Sequence, residues 1–189
     1  MGDYERIGEE GLNIQMLTSE QQKWVDHLSD TDTISIVPFD QTAEEKFIFV
    51  KERIRSALGA YVPVEHHGAA SLGISGQDEI DIYVPIPMEK FDAFLELLKE
   101  LFGEPRSTYP LRRARFVTDV DGKHADVFLI TESSDDWLRS IAFETHLKNH
   151  PDDLDAYRKL KERSAGLSVR EYYRRKIEFI NGILKKSIA

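Results

Sequence analysis

Acidic and aliphatic residues alternate in one short stretch of the chain. The acids are Glu79 and Asp81, and the residues between and after them are Ile80, Ile82 and Val84. A period of two predicts a strand with both acids on one face and the aliphatic side chains on the other. Because neighbouring carboxylates repel each other, they must either face water or share a cation. The pattern therefore leaves two interpretations, a solvated strand face or a metal site.

A run of small residues precedes this strand. It extends from Gly68 to Gly76, contains the hydroxyls of Ser71 and Ser75, and follows a segment from Tyr61 to His67 that is predicted to be a strand. A glycine-rich turn can bring backbone N–H groups close to a phosphate. Such a turn followed by paired carboxylates is the minimal apparatus for Mg²⁺-assisted phosphoryl or nucleotidyl transfer, because the metal neutralises charge on the transferring phosphate.

These two blocks together resemble the signature of the nucleotidyltransferase superfamily, which places a glycine and a small residue before an acid-hydrophobic-acid-hydrophobic run. The matching residues are Gly68-Ala69 and Glu79-Ile80-Asp81-Ile82. More narrowly, the chain resembles GrpB-like proteins, a group described as predicted nucleotidyltransferases, from about residue 34 to the C-terminus. The residues that carry this resemblance are His66, Gly68, Gly73, Asp81, Phe143, Leu147, His150-Pro151, Tyr157, Leu160-Lys161, Tyr172, Lys176 and Phe179-Ile180.

The resemblance implies a third acid. Asp121-Gly122 predicts a hairpin turn, and the strand expected after it, from Lys123 to Ile130, carries Asp126 where the superfamily often has an additional acid. By this analogy Glu79, Asp81 and Asp126 hold Mg²⁺ and form the catalytic centre. The reaction implied is transfer of a nucleoside monophosphate from a nucleoside triphosphate to an acceptor.

The same resemblance suggests residues that bind the substrate. They are His66, Gly68, Ser71, Arg113, Arg115 and Lys176. The two arginines share a strand face and suit phosphate, but a charged sheet face explains them equally well. A lone histidine such as His66 is more often structural than a ligand or base. A zinc site formed by His66 and His124 lacks a characteristic ligand spacing.

Three departures from the GrpB-like pattern favour a second interpretation. The chain has Ala69-Ala70 where a Ser-Thr pair is usual, Gln77-Asp78 where the usual run begins with Lys-Pro, and Glu144-Thr145 where Arg-Asp is usual. Each change removes a hydroxyl or a positive charge that could contact phosphate. A non-catalytic ligand- or protein-binding module on the same fold is therefore the alternative. A hydrolase that uses the same metal on a phosphorylated substrate is a third hypothesis.

Composition bounds the class of protein. The 189 residues are 41% hydrophobic, which suffices for one domain with a real core. A formal net charge of −9 argues against a general DNA-binding surface. Without cysteine the chain has no thiol nucleophile, disulfide or Cys-ligated metal. Because we find neither a membrane-length apolar run nor a signal-like N-terminus, we expect no membrane association and a cytoplasmic protein.

The order of predicted elements gives the fold class. A helix, two strands, a helix, a hairpin and several helices predict an α/β (α+β) fold with a mixed β-sheet and a helical C-terminal layer. The resemblance implies that this fold is nucleotidyltransferase-like. We expect residues 1–32 to form a polar lead and a short helix, and residues 33–189 to form a single domain. The segment from Thr33 to Phe39 is predicted to be a short strand or an extended lead.

Overall fold

The computed structural model describes residues 17–186, and the polar lead predicted before them lies outside the described residues. The helices are α1 (Ser19–Asp26), α2 (Ala43–Leu58), α3 (Gly68–Ser71), α4 (Phe91–Phe102), α5 (Asp135–Asn149), α6 (Pro151–Arg163) and α7 (Val169–Lys186), with a 3₁₀ turn (Met88–Lys90) before α4. The strands are β1 (Glu65–His67), β2 (Glu79–Ile86), β3 (Ser107–Tyr109), β4 (Arg113–Val120) and β5 (Lys123–Thr131).

The strands form a mixed sheet in the order β1-β2-β5-β4-β3. Strands β2 and β5 are parallel neighbours, whereas the other pairs are antiparallel. The predicted hairpin joins β4 to β5 through Asp121 and Gly122, both at positive φ, which is the geometry that matches the twist of a two-residue turn. The predicted α/β class with a mixed sheet is confirmed.

The sheet has two unlike faces. Its apolar face packs against α2 and α4, and the buried strand residues there are Ile80, Ile82, Val84, Ala114, Phe116, Ala125, Val127 and Leu129. Because side chains alternate along a strand, the residues between these point the other way. We call this opposite side the acid face, and it carries Glu79, Asp81, Arg113, Arg115 and Asp126. The alternation predicted for β2 is thus observed.

A second apolar cluster builds the C-terminal layer. It contains the contacting rings of Phe143 on α5, Tyr157 on α6 and Phe179 on α7. The centroid of the Tyr157 ring is 5.2 Å from that of Phe143 and 5.3 Å from that of Phe179. Ile74, which follows α3, joins the same cluster. The cluster therefore fixes the three C-terminal helices beside the small-residue segment that leads into β2. None of the helices within residues 17–186 is both long and apolar enough to cross a membrane.

Two predicted elements differ from the structure. Of the two alternatives predicted for Thr33 to Phe39, the short strand is not observed, because this segment pairs with loops rather than with a strand. Its contacts are isolated bridges, from Thr33 to Ser168 and from Val37 to Gly76. The segment predicted as a loop after His67 instead begins with the single turn of α3. Small residues permit that turn to pack tightly against β2.

Candidate functional site

The three predicted acids lie together on the acid face. In the parallel pair of β2 and β5, Asp81 is opposite Asp126, and Glu79 is opposite His124. Residues at the same register of a parallel pair point to the same side of the sheet. Asp126 is buried at 4% exposure, whereas Glu79 and Asp81 are partly buried. The sheet register, which the sequence does not state, is what brings these side chains together.

One subset of this group has the spacing of metal ligands. One ligand atom from each of Glu79, His124 and Asp126 lies within 4.8 Å of the others. Two carboxylates and an imidazole form a donor set that fits a divalent cation, and the imidazole broadens it from Mg²⁺ toward Mn²⁺ or Zn²⁺. Asp81 is beside this subset rather than in it. His124 is thus a candidate ligand with Glu79 and Asp126, not with His66.

Asp126 already has cationic partners. Arg115 Nε donates to Asp126 Oδ1 at 2.9 Å, and Arg115 Nη2 is 2.8 Å from Oδ2. His124 Nε2 is also 3.1 Å from Oδ1. This two-point contact is the strong geometry of an arginine–carboxylate pair. Arg115, predicted to bind substrate, therefore contacts one of the proposed metal ligands.

Asp81 lies in an unfavourable environment for a carboxylate. Burial and the neighbouring charge of Glu79 raise the pKa of Asp81 to about 7, although the Lys176 ammonium opposes this. Gly68, at φ +77°, lies directly against it, since a Cβ added at Gly68 would be 2.0 Å from Asp81 Oδ2. The glycine is thus required for the close approach of α3 to β2.

The predicted phosphate-binding segment uses its polar groups internally. The Gly68 N–H donates to Glu144 Oε1 at 2.7 Å, and the Ser71 hydroxyl donates to the Gly68 carbonyl at 3.1 Å. Glu144 is buried and lies where an arginine is usual in GrpB-like proteins. The Glu144 carboxylate thus accepts a hydrogen bond from the backbone N–H that could otherwise donate to a phosphate. Gly68 therefore contributes close packing rather than a free donor.

The two adjacent histidines lie on opposite faces of β1. His66 stacks on Phe47 at 4.7 Å and its Nδ1 is 2.9 Å from Glu44, so the structure does not bring it to the acids. His67 pairs with Asp81 in the β1–β2 register and lies 3.1 Å from Glu144 Oε1. Burial lowers the pKa of His67, but the nearby carboxylates outweigh this and raise it above its ordinary value. Of the two adjacent histidines, His67 therefore lies on the acid face, where His124 also lies, and His66 does not.

Two lysines from the C-terminal layer lie near the acids. Lys161 on α6 is buried and donates to the Tyr172 hydroxyl at 3.2 Å, while Lys176 on α7 lies 5.4 Å from the centre of the Tyr173 ring. Burial and the charge of Lys176 lower the pKa of Lys161 to about 7. Both ammonium groups act electrostatically on Asp81. Lys176 was predicted to be near substrate, and Lys161 was not.

A signal for Lys161 is nevertheless present in the sequence. On α6 the apolar positions include Leu154 and Tyr157, and Lys161 follows at the next helical spacing. A lysine in an apolar stripe is either snorkelling or paired within the protein. Arg113, by contrast, stacks against the rings of Tyr109 and Phe128, at 5.2 and 6.0 Å. It shares the acid face with Arg115, but it makes no ion pair with an acid among residues 17–186.

Known proteins share this fold. The family model described as GrpB protein matches residues 33–186. The crystal structure of conserved protein GrpB from Enterococcus faecalis is similar with a TM-score of 0.63 and 19% identity, over 81% of this chain and 96% of that one. At this identity the likeness shows the fold alone.

A weaker likeness is to the Cid1 poly(U) polymerase in a structure with Mg and 3′-dATP bound, with a TM-score of 0.37 and 14% identity over 82% of this chain and 52% of that one. At so low a TM-score, this likeness supports no conclusion about the fold or function of the chain. A comparison with curated proteins gave no match. Because the family model covers most of the sequence, this chain belongs to the GrpB protein family.

Proposed function

We propose that this protein binds a nucleoside triphosphate with a divalent cation at the acid face and transfers the nucleoside monophosphate to an acceptor. One observation carries the proposal. Carboxylates on adjacent parallel strands, with Asp81 and Asp126 in register, lie on the same face, and two lysines from α6 and α7 act electrostatically on Asp81. A negatively charged site for a metal beside a positively charged site for phosphates is the arrangement that phosphoryl chemistry needs.

Each side chain has a role in this proposal. Glu79 and Asp126, with His124, would hold the cation, and Asp81 would complete the set once deprotonated. Bound Mg²⁺ or Mn²⁺ would neutralise charge on the transferring phosphoryl group.

Lys176 and Lys161 would contact phosphate oxygens from the helical side. Ser71 would reach the triphosphate only by leaving the Gly68 carbonyl, whereas Gly68 keeps α3 close to Asp81.

Titration calorimetry and thermal unfolding with nucleoside triphosphates plus Mg²⁺ or Mn²⁺ test the proposal. Binding at 100 times Kd stabilises a protein by about 2.7 kcal/mol, so a rise in midpoint is expected. Lys161→Met should weaken triphosphate binding by about tenfold or more, because it deletes a desolvated phosphate partner. The matched control is Lys159→Met, which removes an exposed lysine from the same helix. If no nucleotide gives either a heat of binding or a rise in the unfolding midpoint, the proposal is overturned.

A non-catalytic binding module on the same fold is the second candidate. The observation that favours it is the bond from the Gly68 N–H to Glu144, which occupies the expected phosphate donor. Asp81→Asn separates the two candidates. A transferase loses its activity in this variant, because a neutral amide is a poor ligand for a divalent cation. A module keeps the same affinity for its ligand.

A further inference from the structure

The contact between Arg115 and Asp126 has a direct consequence for cation binding. The guanidinium engages both carboxylate oxygens, at 2.9 and 2.8 Å. The Asp126 side chain is 5% exposed, so few other directions of approach to it exist. In this state the charge of Asp126 is neutralised from within the protein.

A cation bound by Glu79, His124 and Asp126 would use the same carboxylate. The nearest ligand atom of His124, Nε2, is 3.1 Å from Asp126 Oδ1, which is the oxygen that also accepts from Arg115 Nε. A divalent cation in contact with this oxygen would stand beside a guanidinium of like charge. The repulsion between them is strong where solvent is partly excluded.

We infer that Arg115 is an internal competitor of the cation: it occupies Asp126 in the cation-free protein and must be displaced for a divalent ion to bind. This inference rests on the proposed function. The Arg115 side chain is 37% exposed, which leaves its head group room to move while β4 keeps its base on the acid face. Once displaced, the guanidinium offers paired donors to a phosphate oxygen.

The neighbouring arginine on the same face shows that the contact is specific. Arg113 lies over the rings of Tyr109 and Phe128 and makes no ion pair within residues 17–186. Arg115 alone of these two therefore links the phosphate-binding and cation-binding roles of the acid face.

Calorimetric titration with Mn²⁺ alone, at fixed ionic strength, tests the inference. Arg115→Gln should bind Mn²⁺ at least about fivefold more tightly than the unmodified protein, which is the lower end of ordinary coupling between two binding events. Arg115→Lys should fall between them, because an ammonium retains the charge but not the paired contact. Arg112→Gln removes an equal charge three residues earlier, from a side chain that pairs with Asp136, and should leave Mn²⁺ affinity unchanged.

The outcomes separate the inference from the proposed function. Equal or weaker Mn²⁺ binding by Arg115→Gln overturns the inference, whereas the cation site of the proposed function stands. No Mn²⁺ binding by any variant overturns both. If Arg115→Gln does not fold, a second measurement takes the place of this titration. It is the rate at which the Arg115 Nε–H exchanges with solvent in the unmodified protein, followed by NMR. Addition of Mg²⁺ should accelerate this exchange, and an unchanged rate overturns the inference.

Discussion

The two faces of the sheet use the same strands for opposite purposes. On β2, Ile80 and Ile82 are fully buried against α2 and α4, whereas Glu79 and Asp81, which alternate with them, lie on the acid face. The apolar face gains free energy from burial, in proportion to the area removed from water. The acid face brings like charges together and removes part of their hydration, which costs free energy. The apolar face therefore stabilises a sheet whose other face is destabilised by the repulsion and partial burial of its charges.

Two groups at the acid face, Asp81 and the nearby Lys161, lie where their charged forms are unfavourable. Burial and nearby Glu79 raise the pKa of Asp81 to about 7, and burial with nearby Lys176 lowers the pKa of Lys161 to about 7. Both shifts oppose the charged form of the group. Perturbed pKa values of this kind cluster at functional sites, although structural ion pairs also produce them.

The largest expected effect concerns the apolar face. Ile82→Ala should lower the free energy of unfolding by about 2–5 kcal/mol, because it leaves a cavity among fully buried side chains. Val117→Ala on β4 is the control, since that side chain is on the other side of the sheet and is 37% exposed. Its loss should stay under about 1 kcal/mol. Urea unfolding measures both, and equal losses would contradict the contrast between the faces.

The next effect concerns the packing of α3 against the acid face. Gly68→Ala should destabilise the protein by about 2–4 kcal/mol, because it combines the cost of a left-handed backbone with a clash against Asp81. Gly166→Ala is matched to it, with φ +81° and open space around the added Cβ, and should lose only about 1–2 kcal/mol. Thermal unfolding of the pair isolates the clash. Equal losses would show that Asp81 yields without cost.

The smallest effect has the opposite sign. The folded-state pKa of Asp81 is raised from 3.8 to about 7, so the native protein binds more protons than the unfolded chain in this interval and loses stability as pH rises through it.

Asp81→Asn should therefore be more stable than the unmodified protein at pH 8, by on the order of 1–2 kcal/mol, and about equal to it at pH 4. Cation-free urea unfolding at both values measures this. Glu89→Gln, an exposed control, should show no such pH dependence. If Asp81→Asn is less stable than the unmodified protein at pH 8, the account of the acid face is contradicted.

Local patterns sufficed for part of the fold and of the site. The alternation in β2 and the Asp121-Gly122 turn are short-range signals, and the structure confirms both. Asp126 was located through the resemblance to a family, not through the sequence pattern alone. For Thr33 to Phe39 the predicted short strand is not observed, because its β-branched residues are also suited to single bridges with loops.

Contacts between distant segments could not be predicted in this way. The sequence analysis chose His66, but the residue that faces Asp81 is His67. Only the β1–β2 register decides which of these two adjacent side chains lies on the side of Asp81. Lys161 and Glu144 come from helices far along the chain, and their positions depend on the packing of the C-terminal layer. Periodicity assigned their helices but not the side of the sheet that they approach.

The bridge between Thr33 and Ser168 has a consequence for the order in which the protein assembles. It is supported by backbone bonds from Ile34 N–H to the Leu167 carbonyl and from Val169 N–H to the Asp32 carbonyl, at 2.9 and 2.8 Å. Contacts of such long sequence separation close large loops and form slowly. We therefore expect the carboxylates of β2 and β5 to meet before the helix that carries Lys176 is anchored, so that Asp81 at first lacks the charge of this lysine while Asp126 already has Arg115.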